Sequence, residues 1–490
     1  MKYITPEQAG IKSENLEKYL EILEGERLAT HNIIMAKGDS IFFGKYWAPF
    51  HKDFLHRMYS VSKSFVSVAI GFLQQDGLID LDDRIVKYFP EESKNQTDKN
   101  MLCQTIRHML MMSTAKPVRD WFKAKPEDRV RFYFENDKEE TRPPGTIFNY
   151  DSEGSFVLGA LVERVTGKPF MQYLREKLFN KIGVSEEAYC LKCPGGHSWS
   201  DSAVICKPTD LLKVALFVMR KGNWNGEQIL NEKYLTDATA TQIFNNYWDL
   251  NGFNTQGYGY KFWKSYSDSF FFNGMGCQFA VCFPHKDIIL IYNGDNQGKE
   301  NVQQCIVKDF VNLIVNTAVE NPIEENPTAQ KSLEEKTADL RLISAEGDKR
   351  SAFEDEINGV TYVLDKNPMG ITKFRLCFEK NGGRFEYSNA QGNKVLPFGR
   401  CENVFAPFPQ EGYADGVGTT PTIGMFYNCA SSAAWVEEKK IYIKVQIIDK
   451  YFGNMGITIG FRDDVCGLYM NKIAEDFLQE YEGFAGGKRI

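Results

Sequence analysis

A chain of 490 residues is long enough for two or three domains, and 43% hydrophobic with 25% charged residues describes a folded globular protein rather than a disordered one. A net charge of −7 with no basic block argues against nucleic acid or an anionic membrane as partner. The N-terminal Met1-Lys2-Tyr3-Ile4-Thr5-Pro6-Glu7-Gln8 lacks the apolar run of a signal peptide, and no stretch approaches the length of a membrane span. Eleven scattered cysteines, among them a lone Cys190-x-x-Cys193, predict reduced thiols in a cytoplasmic protein.

Leu16, Leu20 and Leu23 share one stripe of an amphipathic helix over 13–24, with Ser13 as its expected N-cap. Two strands, 32–35 and 41–47, follow as a hairpin through Lys37-Gly38-Asp39. Next comes Met58-Tyr59-Ser60-Val61-Ser62-Lys63-Ser64-Phe65, which opens a run of Phe65, Val66, Val68, Ala69, Phe72 and Leu73 at helical spacing. From there to about residue 247 the pattern is mainly helical, with candidates at 105–112, 154–166, 169–178, 209–220 and 231–241. The charged, aromatic stretch 115–142 has no clean period and reads as a long surface loop or irregular helix. Strand character returns at 258–263, 270–273, 278–283 and 288–293, a β-meander, before a closing helix over 301–318.

Two strands before the helical region and several after it imply one sheet built from both ends of the domain, with a helical subdomain inserted in its middle. Residues 319–331 are acidic, carry two prolines and read as a linker, followed by a short helix near 332–342. From 357 to 470 short strands alternate with turns, the pattern of a separate all-β barrel or sandwich. The expected organisation is a domain over 1–318, a linker and short helix over 319–356, and an all-β domain over 357–490.

A serine nucleophile needs a base, an oxyanion site and a means of protonating the leaving group. If Ser60 begins the helix, Lys63 lies one turn later on the same face, and an ammonium there favours the alkoxide. Tyr150, in Gly145-Thr-Ile-Phe-Asn-Tyr150-Asp151-Ser152-Glu-Gly154, stands just before a strong helix. As a tyrosinate beside one or two ammonium groups it can take the Ser60 proton. Phe272-Asn273-Gly274-Met275-Gly276 lies between two strand-like runs, where glycines let an edge strand approach substrate and offer a backbone N–H. Competing constellations are missing: no Gly-x-Ser-x-Gly, no His-Glu-x-x-His, no Gly-x-x-x-x-Gly-Lys, and no metal-ligand spacing among the six histidines. His56 and His197 read as partly exposed surface residues before they read as site residues. The chain offers neither a metal site nor a cofactor motif.

These motifs, in this order, resemble the serine β-lactamase-related family of class C β-lactamases, D-alanyl-D-alanine carboxypeptidases, esterases and 6-aminohexanoate-dimer hydrolases. Ser60-Val-Ser-Lys63 is similar to its nucleophile signature. Asp76-Gly-Leu-Ile-Asp-Leu-Asp-Asp83, Pro144-Gly-Thr-Ile-Phe-Asn-Tyr150-Asp-Ser152, Gly159-Ala-Leu-Val-Glu-Arg-Val-Thr-Gly167, Asn223-Trp-Asn-Gly226 and Gly257-Tyr-Gly-Tyr-Lys-Phe-Trp263 extend the likeness over 5–318. The resemblance implies an antiparallel sheet flanked by helices with a helical subdomain, an α+β fold. It implies Ser60 as nucleophile, Lys63 as its activating partner and Tyr150 as general base, with oxyanion donors at the backbone of Ser60 and near Met275. It also places Ser152, Phe272, Asn273, Gly274 and Met275 against substrate. Ser152 stands where β-lactamases of this type have asparagine. Phe272-Asn273-Gly274 stands where the family has Lys-Thr-Gly or His-x-Gly. Loss of that cation favours an uncharged ester or amide over a β-lactam. The expected function is an acyl-enzyme-forming hydrolase of a small molecule or peptide; the alternative is a non-catalytic binding or sensor protein on the same fold.

Overall fold

The computed structural model describes residues 1–115, 121, 124, 126–135, 140–246, 252–411, 424–473 and 477–490. The chain divides into two compact units, 1–341 and 342–490.

In the first unit, seven strands form one sheet in the order β1-β3-β2-β7-β6-β5-β4. These are β1 (Lys2–Tyr3), β2 (Thr30–Lys37), β3 (Ser40–Tyr46), β4 (Trp263–Lys264), β5 (Phe270–Gly274), β6 (Gln278–Phe283) and β7 (Ile288–Gly294). Strand β2 pairs antiparallel with β7, so the two ends of the unit close one sheet around the helical insertion, as the order of strand signals predicts. All pairs are antiparallel except β1 with β3. One face carries Met35, Phe271, Phe279, Val281 and Leu290 into a core shared with α1 (Ser13–Gly25) and the C-terminal helix. The other face lies against the insertion, whose principal helices are α2 (Ser62–Gln75), α3 (Ser152–Thr166) and α4 (Pro208–Met219). The C-terminal helix is α5 (Val302–Phe310), extended by a wider turn over Val311–Val315.

Local chemistry departs from expectation in three places, and in a fourth it bears on the two readings of 115–142. Ser13 is the first residue inside α1, not its cap, because the Glu7 carboxylate accepts the Ser13 N–H at 2.9 Å and performs that role. Residues 258–262 are not a strand; the backbone turns there through Gly257 (φ 119°) and Lys261 (φ 66°), conformations that no extended strand contains. Part of 115–142 is helix, Arg129–Glu135, while 116–120, 122–123, 125 and 136–139 lie outside the described residues. The acidic segment after 318 is not a free linker. Val319 and Ile323 donate to the Gly10 and Glu7 carbonyls, and the next helix, Pro327–Lys336, starts earlier than its pattern suggests, with Asn326 as N-cap.

The second unit is a closed barrel with one further strand. Its strands are β8 (Thr361–Leu364), β9 (Lys373–Phe378), β10 (Gly382–Asn389), β11 (Gly392–Arg400), β12 (Val404–Glu411), β13 (Phe426–Glu437), β14 (Lys440–Ile448), β15 (Phe452–Arg462), β16 (Val465–Ile473) and β17 (Gly483–Arg489). Nine of them, β8–β11 and β13–β17, close where β11 pairs with β13 at Gly399–Ser432, while β12 adds to β13. Inward positions alternate along each strand, and Tyr362, Phe374, Phe385, Phe461 and Trp435 fill the interior.

The segment carrying Ser200 packs closely on α3 at Gly159, where a Cβ would overlap the Ser200 Oγ and come within 2.5 Å of the Ser200 Cβ. Gly159→Ala should therefore destabilise the protein by about 1–3 kcal/mol through overpacking, more than the helix propensity of alanine returns. Ser200→Gly in the same chain should recover most of that loss in urea unfolding.

Candidate active site

Helix α2 does not begin at Ser60. A 3₁₀ turn, Tyr59–Val61, carries Ser60 and runs without a break into α2. Tyr59 adopts φ 47°, a left-handed conformation rarely taken by a bulky residue. The turn is fixed by a small sheet in which His56 pairs with Cys206 and Arg57 with Ile205. Met58 N–H donates to the Val204 carbonyl at 2.8 Å, and Val204 N–H donates to Ser62 Oγ at 3.0 Å. Arg57 lies between the rings of Tyr59 and Trp199, 4.4 and 4.5 Å from their centroids.

Lys63 is 2% exposed and donates from Nζ to Ser60 Oγ at 3.0 Å and to the Asp201 carbonyl at 2.9 Å, with the Asp201 carboxylate 4.0 Å away. Burial pushes the Asp201 carboxyl up, against the pull of Lys63. The Lys63 ammonium also stands over the ring of Tyr150, 5.1 Å from its centroid. Tyr150 is half-buried and stacks on Trp263 at 5.7 Å, and both pack against Met112, Phe148 and Tyr258. Asp151 caps α3 through the Gly154 N–H at 2.8 Å and so holds Tyr150 at the helix entry. Ser152 is the first residue of α3 and is buried.

The third stretch reaches the same place from the sheet. At the end of β5, a Cβ on Gly274 would overlap the Met58 carbonyl oxygen and lie 3.3 Å from Val61, so only glycine lets β5 pass the Ser60 turn. Gly276 and Cys277 take positive φ in the tight turn into β6, leaving Met275 exposed at its tip. Gln278 fixes that tip from inside: its amide donates to the carbonyls of Met275 (3.1 Å) and Gly294 (2.6 Å) and accepts from Asn293 (2.9 Å). Phe272 shares the Gly274 face by strand alternation, but it is fully buried, edge-on to Phe262 at 5.1 Å. Asn273 is half-buried and pairs with Phe279. The structure therefore brings Ser60, Lys63, Tyr150 and Gly274 together, and turns the residue at 272 into core.

Both histidines fall away from this chemistry. His56 is buried, not partly exposed, among Phe50, Phe54 and His31, where burial pushes its imidazole down to about 3. His197 is half-exposed and engages Glu163 at 2.7 Å. Asp201, Trp263 as an aromatic wall, and Gln278 escaped the sequence reading as site residues. Only Gln278, a lone amide in the apolar run Gln278–Phe283, left a local signal. Among the described residues no group of three His, Cys, Asp or Glu side chains could hold a metal, none of the eleven cysteines is bridged, and no helix is long and apolar enough to cross a membrane.

A family model described as Beta-lactamase matches residues 26–303. The chain belongs to the beta-lactamase family. Within that family it is similar to a 6-aminohexanoate-dimer hydrolase of Paenarthrobacter ureafaciens, 23% identical over 256 residues, covering 48% of this chain and 64% of the relative. The chain thus spans less than two-thirds of the length of the curated relatives it matches. Among solved structures, the octameric penicillin-binding protein homologue from Pyrococcus abyssi aligns over 97% of this chain and 99% of its own, at 15% identity and TM-score 0.51. A penicillin-binding protein homologue from Caulobacter crescentus aligns over 63% of this chain and 99% of its own, at 14% identity and TM-score 0.51. At these identities the likeness is one of fold: a β-lactamase/transpeptidase-like unit, here followed by the nine-stranded barrel.

The burial of His56 predicts an imidazole that stays neutral through the physiological range. In NMR titration of the labelled protein, its ring resonances should not move between pH 8 and pH 5; a midpoint near 6.5 would contradict the packing seen here.

Proposed function

We propose that this beta-lactamase-family protein is a serine hydrolase that cleaves an uncharged ester or amide of a small molecule or peptide through an acyl-enzyme on Ser60. The observation that carries the reading is the Lys63 Nζ to Ser60 Oγ contact at 3.0 Å, made by a lysine too buried to serve as a solvated surface charge. A buried ammonium whose partners are a hydroxyl and a carbonyl stabilises oxyanion character on that hydroxyl.

In this reading Ser60 Oγ attacks the substrate carbonyl carbon while its proton passes to Tyr150, whose ring Lys63 faces. The oxyanion is received by the backbone N–H groups of Ser60 and of the β5 tip near Met275. Collapse expels the alcohol or amine, which takes the proton back from Tyr150, and leaves the ester on Ser60. Water then attacks that ester, losing its proton to Tyr150, and Ser60 recovers its proton as the acid departs.

The nature of position 272 bears on which substrate fits. A phenylalanine buried against Phe262 offers nothing to a substrate carboxylate, and the nearby wall is the Tyr150–Trp263 stack. An apolar, uncharged acyl or leaving group is favoured there, and β-lactam carboxylates are disfavoured.

A fluorophosphonate probe should label Ser60 stoichiometrically and leave Ser60→Ala unlabelled. Tyr150→Phe and Lys63→Met should each slow labelling by about 10²–10⁴-fold without loss of fold by circular dichroism. Tight ligand binding with no labelling and no turnover across an ester and amide panel would favour a binding protein instead.

A further inference from the structure

Immediately behind the site lies a lysine that the proposed mechanism leaves unused. Lys261 is 1% exposed, and its Nζ has no hydrogen-bonding partner among the described residues. Its backbone is left-handed, φ 66°, where a non-glycine side chain is uncommon. That conformation is held from both sides: Lys261 N–H donates to the Leu110 carbonyl at 3.1 Å, and Ser64 Oγ donates to the Lys261 carbonyl at 2.8 Å. Ser64 is the residue after Lys63, so Lys261 is tied directly to the helix that carries Lys63. An unpaired ammonium in such a place is costly, and a strained backbone that keeps it there adds to that cost.

The groups facing it come from three elements. Lys63 faces it from α2, Asp151 and Glu153 from the start of α3, and Asp201 from the loop before residues 204–206. Arg129 faces Asp201 and Glu153 in turn, and Tyr150 and Tyr258 adjoin Asp151. Burial, and then the charge of Asp151, pushes the Glu153 carboxyl up.

We propose that Lys261 is a positioning residue for the acylation of Ser60: a second cation, held behind Lys63 and Asp151, that takes the electrostatic part position 272 cannot play. It touches neither substrate nor the reacting atoms; it acts through Lys63 and Tyr150. Burial pushes its ammonium down to about 7, opposed by Asp151 and reinforced by Lys63. Negative charge arriving at Tyr150 or Ser60 favours the ammonium form, so the two titrations are linked, and Lys261 lowers the pH at which the base becomes available. This inference rests on the reading of Ser60 as nucleophile.

The test is the pH profile of fluorophosphonate labelling at Ser60 for wild type, Lys261→Met and Lys261→Arg. For Lys261→Met the acid-limb inflection should move up by about one pH unit, with labelling at pH 7 falling about tenfold. Lys261→Arg, permanently charged, should keep the low inflection. A Lys261→Met profile that changes in height but not in inflection assigns the residue a structural role and overturns the proposal. No labelling of wild type at any pH overturns the Ser60 reading, and this proposal with it.

Thermal unfolding of the same variants supplies a readout independent of activity. Unfolded Lys261 titrates near 10.5 and folded Lys261 near 7, so between those values the unfolded chain binds the extra proton and wild-type stability rises with pH. Relative to wild type, Lys261→Met should gain most at pH 6, the difference closing toward pH 10. A difference that does not vary with pH overturns the titration on which the proposal depends.

Discussion

A buried ammonium needs acceptors, and that requirement at Lys63 organises the first unit. Position 63 lies in the first turn of α2 and is buried, so its charge reaches neither solvent nor a surface carboxylate. Two of its contacts are Ser60 Oγ and the Asp201 carbonyl, and the second comes from a segment 138 residues away in the chain. Bringing Asp201 there requires residues 204–206 to pair with 56–57, Met58 to bond Val204, and Ser200 to fit into the gap that Gly159 leaves on α3. Satisfying one cation therefore fixes the relation of α2, α3 and the strand before Ser60. Ser60 is oriented as a by-product of that packing.

The sheet contributes a second constraint of a different kind, steric rather than electrostatic. Strand β5 passes the Ser60 turn closely enough that only glycine fits at 274, and Gln278 holds the following turn by three hydrogen bonds from inside the fold. A side chain on β5 facing that turn must come from position 272, and there it is a phenylalanine withdrawn under Phe262. The strand approaches the turn closely but brings no charge to it from position 272. Those two properties separate cleanly because backbone approach depends on Gly274 and polarity depends on the alternate position.

What was legible in the sequence follows from the range of the forces involved. The Ser60–Lys63 spacing is local, one helical turn, and it survives even though Ser60 sits in a 3₁₀ turn rather than in α2 itself. Sheet closure from both ends was legible because strand signals flank a helical region. Tyr150 was legible as a residue before a helix with a strong apolar face, and its cap Asp151 is adjacent to it. Asp201 was not, since nothing in its neighbourhood records that Lys63 will need its carbonyl. Lys261 was hidden by the alternation of Tyr258, Tyr260 and Phe262, which reads as a strand; a left-handed residue leaves no trace in a hydrophobic period. In the second unit the strands at 392–400, 404–411, 426–437 and 483–489 leave weak signals in the sequence. Pro397 and Pro407 interrupt two of them, and Gly483, Gly486 and Gly487 thin the last, so β propensity is weak where pairing with neighbours decides the structure.

The charge balance behind Ser60 connects these observations. Lys63, Lys261 and Arg129 face Asp151, Glu153 and Asp201 across a largely buried volume, where burial pushes the Glu153 carboxyl up. Such a cluster is not the most stable way to fill that space, since apolar residues of similar volume carry no desolvation penalty. Its persistence around a serine that receives a hydrogen bond from one of the cations is understandable if negative charge appears there transiently. An anion at Ser60 or Tyr150 would meet positive charge already in place, with no side chain to reorganise. Position 272 is apolar and withdrawn under Phe262, so in the proposed reaction the charge near the anion comes from behind α2 rather than from the strand.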